Sequence, residues 1–185
     1  MTKIADGTDD YLVVAGNGGA FGGPGNLYSA TMWRLSIDGA LNGTMSLLAD
    51  LGDAGSLGLA EGIFDARGLT TTNTGRIFMT SKDNGKVYEI DLSGGFGITE
   101  IASGIDYATR IEYNRYTNRL VLVQQHVPAD FGLISEIRLD GTGYTVLTAD
   151  PIVSPRDLYI VPAPGAFALL GLGGVLCARR RRAVG

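Results

Sequence analysis

His126 is the single histidine of the chain and stands in the stretch VQQHVPADFG. An imidazole can take up a proton near neutral pH, but base catalysis also needs a nucleophile within reach and a third group to orient the ring. No Gly-x-Ser-x-Gly elbow, His-x-x-x-His pair or Walker-type loop occurs in the 185 residues. His126 follows a strand-like run and precedes a proline, so it reads as a loop residue. The stretch AGNGGAFGGPGN, Ala15 to Asn26, has the composition of a phosphate cradle. Such cradles aim backbone N–H groups and a helix N-terminus at the anion. Here LYSATMWRLSID follows and reads as strands, so the glycines form an inter-strand loop. Asp83-Asn84-Gly85 is a hairpin signal, and no Asp-x-Asp-x-Asp-Gly calcium loop is present. The lone cysteine, Cys177, excludes both a disulfide framework and a thiolate zinc site.

The elements that must carry any such chemistry read as short strands. Hydrophobic residues make up 45% of the chain and charged residues 18%, enough apolar surface for one packed core. The 28 glycines, interspersed with Asn, Asp, Ser and Thr, punctuate the chain as tight turns do. Three segments resemble one another: Asn26 to Gly52, Gly75 to Gly104 and Asn118 to Asp150. Each has a strand ending in aspartate (WRLSID, VYEID, SEIRLD), then a glycine-rich turn and another strand. The aspartates Asp38, Asp91 and Asp140 are 53 and 49 residues apart. A period near 50 suits propeller blades, each of which needs its neighbours to cover its faces. SPRDLYIVP looks like the start of a further unit. In KVYEIDL, Val87, Glu89 and Asp91 should share one face, with Tyr88, Ile90 and Leu92 on the other. RLVLVQQ is almost continuously apolar, as expected of a strand covered on both sides. The aspartates are best read as acceptors for the backbone of the following turn.

The C-terminus departs from this pattern. Val161, Pro162, Ala163 and Pro164 precede 14 uncharged residues, 165–178, and then Arg179, Arg180, Arg181 and Arg182. As a helix the uncharged run spans roughly 21 Å, shorter than a ~30 Å hydrocarbon core. A buried core element is the plain alternative. The dense arginine block argues against it and suits a membrane stop on the cytoplasmic side. Without those arginines, 11 basic residues face 19 acidic ones, a net of −8. An acidic body lacks the basic footprint of nucleic-acid binding, so no nucleic-acid partner is expected.

This tail resembles the PEP-CTERM class of bacterial sorting signals: a Pro-Glu-Pro-like motif, a short apolar helix and an arginine cluster, in that order. Ala163 stands where the glutamate is usual. The resemblance implies a secreted protein handled by an exosortase-like membrane enzyme, cut near the Pro-x-Pro motif and left at the cell surface or in extracellular matrix. Cys177 is then a bystander in the helix. ARGLTTTNTGRIFMTSKDNGKVYEIDL is similar to blades of NHL-repeat and gluconolactonase-like (SMP-30) propellers. That second resemblance implies, for an active member, a divalent metal held by Glu, Asn and Asp. Glu61, Asn73, Asp83 and Asn84 are the candidates for that role.

MTKIADGTDDYLVVAG has none of the features of an export signal, and about three blades are too few for a closed ring. Both points predict that the chain lacks its true N-terminus. The expected organisation is all-β, with partial β-propeller-like repeats over 1–158. A sorting tail follows over 159–185, with its motif at 161–164, a transmembrane helix at 165–178 and the arginine cluster at 179–182. The expected function is non-enzymatic display, without cofactor or metal. The membrane and extracellular polysaccharide are the expected partners, and Trp33, Phe131 and Tyr144 are candidate ligand-facing aromatics. The alternatives are a metal-dependent sugar-lactone hydrolase and a permanently tail-anchored membrane protein.

Overall fold

A computed structural model describes residues 2–5, 10–17, 30–37, 43–93, 95–126, 131–148, 152–153, 155 and 157–161. The chain folds into three antiparallel sheets laid down in sequence order. The first is the meander β1 (Thr2–Ala5), β2 (Asp10–Asn17), β3 (Ala30–Ser36) and β4 (Met45–Asp50). A single helical turn, α1 (Ala54–Leu57), follows, capped by the Asp53 carboxylate and closed by left-handed Gly58. The second sheet is β5 (Ala66–Thr71), β6 (Ile77–Ser81), β7 (Lys86–Asp91) and β8 (Gly97–Ser103). The third is β9 (Ala108–Asn114), β10 (Arg119–His126), β11 (Phe131–Arg138) and β12 (Thr145–Val146). A short β13 (Ile152–Val153) also pairs with β11. The all-β expectation therefore holds. Among the described residues the sheets do not close into a barrel or ring.

The second sheet has apolar residues on both faces, and its strands show why. Every residue of β6 is buried. Ile77 and Met79 point into one cluster with Val13, Ala30 and Met32 of the first sheet. Phe78 points the other way, into a cluster with Ile111, Leu120, Leu122 and Ile137 of the third. In β7, Tyr88 and Ile90 join the first cluster and Val87 the second, the alternation that period-2 geometry requires. Burial pushes the Tyr88 phenol up to about 12.

Gly68 marks the close approach of β5 to β9. A Cβ there would lie 2.7 Å from the Ile111 nitrogen and 2.8 Å from Thr80 Oγ1. The space is instead used by a hydrogen bond from the Gly68 N–H to that hydroxyl, at 2.9 Å.

The repeat is visible in backbone detail. Asp65 and Tyr107, each just ahead of its sheet's first strand, have positive φ of 48° and 55°. Each carbonyl accepts from the end of the next strand or just beyond it, Lys82 N–H to Asp65 and Gln125 N–H to Tyr107, both at 3.0 Å. The ladders also correct the alignment of the aspartates. Ile77 faces Ile90, and Leu120 faces Ile137. Glu89 therefore corresponds to Glu136 and Asp91 to Arg138, with Asp140 two positions further along.

Beyond β13 the chain returns over the third sheet. A Cβ on Gly132 would collide with Pro155, and Asp157 forms an ion pair with Arg110 of β9 at 3.2 Å. Val121 and Val123, on the side of β10 opposite Leu120 and Leu122, are buried. Pro155 and Asp157 of the stretch SPRDLYIVP thus lie beside the third sheet.

Candidate functional site

Of the sorting motif only Val161 lies among the described residues, and it is 73% exposed. Pro162, Ala163, Pro164, the run 165–178 and Arg179, Arg180, Arg181 and Arg182 lie outside them, as does Cys177. Among the described residues no helix is long and apolar enough to cross a membrane. Tyr159, two residues before Val161, is 89% exposed.

The four candidate metal ligands are divided between the two ends of the second sheet. Asn73 precedes β6, whereas Asp83 and Asn84 follow it. Asn73 lies in the β5–β6 turn, its Oδ1 3.3 Å from the Tyr113 hydroxyl. Asn84 is consumed by the loop beneath it: Oδ1 accepts from the Phe64 N–H at 2.8 Å and Nδ2 donates to the Gly62 carbonyl at 3.2 Å. Ser81 Oγ lies 2.6 Å from the same Oδ1. Asp83 is exposed in the turn. Glu61 lies near Asn84, but the Lys86 ammonium sits 2.7 Å from its Oε1 and 2.9 Å from Glu100 Oε2. The hydrogen bond from Lys86 lowers the Glu61 carboxyl below its ordinary value, and the two carboxylates together raise Lys86. That ammonium already fills the place a cation would take between the carboxylates. Among the described residues no three His, Cys, Asp or Glu side chains converge on a metal-sized site.

The turn aspartates do what their residue type suggests. Asp91 Oδ1 accepts from the Ser93 N–H at 2.8 Å and its hydroxyl at 2.7 Å. Asp140 Oδ1 accepts from the Thr142 N–H at 2.9 Å and its hydroxyl at 2.7 Å. These bonds hold both carboxyls below their ordinary value. Asp38 and most of the glycine loop, 18–26, lie outside the described residues.

His126 is the last rung of β10, paired with Phe131, rather than a loop residue. Trp33 is half-buried and donates from Nε1 to Thr31 Oγ1 at 3.1 Å. The Tyr144 hydroxyl donates to Gln124 Oε1 at 2.8 Å, so it anchors a buried polar group of the third sheet. Phe131 is half-exposed.

One polar cleft at the sheet ends was not read from the sequence. A cleft of about 450 Å³ opens where three turns meet, lined by Arg76, Thr117, Asn118, Arg119, Arg138 and Asp140. Arg76 and Arg119 occupy equivalent places, Arg76 directly before β6 and Arg119 as the first residue of β10. Each pairs with the equivalent glutamate: Arg76 with Glu89 at 2.6 Å, Arg119 with Glu136 at 3.0 Å. The signal in the sequence is an arginine at the start of each of those strands, in TNTGRIF and YTNRLVL.

Set against protein-family profiles and against curated proteins, the chain matches none of either.

Proposed function

We propose that the chain is a non-enzymatic display protein. In this reading a propeller-like stack of sheets is presented at a bacterial cell surface and sorted there by an exosortase-like enzyme acting on the C-terminal tail. The observation that carries the reading is the order of three parts at the C-terminus: Val161-Pro162-Ala163-Pro164, the uncharged run 165–178, and Arg179 to Arg182. The exposure of Val161 supports it, because a processing enzyme needs the motif in extended, reachable chain. Three successive meanders with β5 packed beside β9 support the propeller-like description. Extracellular polysaccharide is the partner expected of such a surface scaffold.

The test is the intact mass of the protein from an exosortase-bearing host, with an export signal supplied at the N-terminus. Release of a species ending near Pro164, abolished in the Pro162→Ala/Pro164→Ala variant, is the expected result. A full-length species retained in the membrane fraction would instead make the tail a permanent anchor. Full-length protein in the soluble fraction would remove the tail from the account altogether.

A further inference from the structure

We propose that the arginine-lined cleft between the second and third sheets binds a carboxylate-bearing, hydroxyl-rich ligand, the chemistry of a uronic-acid sugar unit. The argument starts from the donors left over. Arg76 uses Nε and Nη2 on Glu89, and Nη2 again on the Leu139 carbonyl, leaving Nη1 unused. Arg119 uses Nη1 on Glu136 and on the Gly143 carbonyl, leaving Nε and Nη2. Arg138 is exposed and forms no salt bridge among the described residues. A guanidinium carries five N–H donors and no acceptor. The cleft is therefore rich in donors, while the Oδ1 acceptor of Asp140, its lining carboxylate, is already taken by Thr142. An acceptor-rich ligand suits that inventory.

The glutamates also organise the site. Glu89 and Glu136 hold Arg76 and Arg119 in place from behind, and the Arg76 guanidinium lies 5.0 Å from the centre of the Phe78 ring. Two of the three guanidinium groups are thus oriented before any ligand arrives; Arg119 keeps Nε and Nη2 for a bidentate carboxylate, whereas Arg76 offers Nη1 alone. The charge balance selects among anions. Three arginines face Glu89, Glu136 and Asp140 in a protein of net charge −4. A single carboxylate on a ring of neutral oxygens meets about half the repulsion from Asp140 that a doubly charged phosphate meets. The volume, about 450 Å³, lies in the range of small-ligand sites.

This assigns a ligand class to the displayed scaffold, yet it stands apart from the tail, because the titration reads the body alone. Digalacturonic acid would be titrated calorimetrically into the full purified chain, with digalactose and inorganic phosphate as separate probes. The expected result is binding of digalacturonic acid, weakened about tenfold or more in Arg138→Ala, as for loss of a charge-assisted contact. Arg138 lies outside both ion pairs, so its variant should keep the parent melting temperature. Arg138→Lys, which keeps the charge but not the fork, should recover part of the loss. Absence of binding, equal binding of digalactose, or tighter binding of phosphate would each overturn the assignment. So would unchanged affinity in Arg138→Ala.

Discussion

Arg76 grips Glu89 through two hydrogen bonds, 2.6 and 2.8 Å long, while its Nη2 also donates to the Leu139 carbonyl of the adjacent sheet at 3.2 Å. One guanidinium thus joins neighbouring strands of the second sheet and ties that sheet to the third. Glu89→Gln should lower stability by about 1 kcal/mol, at the upper end for a part-exposed pair because the geometry is bidentate. The urea midpoint measures it, and the difference should shrink in high salt. A double-mutant cycle with Arg76→Gln isolates the pair from the Leu139 contact.

Gly141 and Gly75 separate backbone strain from collision. Both have φ near +80°, but a Cβ on Gly75 would meet nothing, whereas one on Gly141 would collide with the Ile101 carbonyl of β8. Gly75→Ala should cost about 1 kcal/mol, the left-handed penalty alone. Gly141→Ala should cost about 3 kcal/mol, because the β11–β12 turn must also move off the second sheet. Denaturant midpoints of the two variants give the comparison directly.

Glu112 and Glu61 should respond to pH in opposite senses. Burial raises the Glu112 carboxyl above its ordinary 4.5, only partly opposed by Arg110. A raised carboxyl holds its proton more tightly when folded. Its ionisation therefore weighs against folding, absent below the unfolded value and complete above the folded one. Glu61 is lowered by Lys86, so its contribution is present above 4.5 and lost as pH falls through the folded value. Glu112→Gln should raise the melting temperature by about 1–2 °C near pH 7 and leave it unchanged near pH 3. Glu61→Gln should lower it near pH 7, again without effect near pH 3.

Asn84 is read as a structural bracket, and two measurements check this. Asn84→Ala should cost about 2 kcal/mol, because the Phe64 N–H and Gly62 carbonyl lose their side-chain partners. Millimolar calcium or zinc should leave the melting temperature unchanged, since Lys86 already stands between Glu61 and Glu100. A rise with metal would favour the lactone-hydrolase alternative.

The strands were legible because burial on alternate faces writes itself into period-2 patterns. KVYEIDL divides its side chains between two clusters as its alternation implies, and RLVLVQQ is almost continuously apolar because β10 is covered on both faces. The aspartate spacing misled by two residues, because turns of unequal length follow β7 and β11 while the ladders keep Ile90 and Ile137 in register. Shifts at Val87/Tyr88 and Val123/Gln124 add further offsets that no simple period contains. The arginine cleft was invisible for a related reason. Its residues come from three turns far apart in the chain, and each alone is an ordinary solvated arginine. Only the ladder register brings them together.

Because β6 has no solvent face, the order in which parts of the protein can open is constrained. The first sheet can detach and expose only the cluster around Met32 and Met79. The third can detach and expose only that around Phe78 and Leu122. The second cannot open without baring both. Its amides, those of β6 above all, should be the last to exchange with deuterium, and the two flanking sheets should exchange at rates set by separate openings. The molecule then behaves in time as two hinged leaves on a single spine.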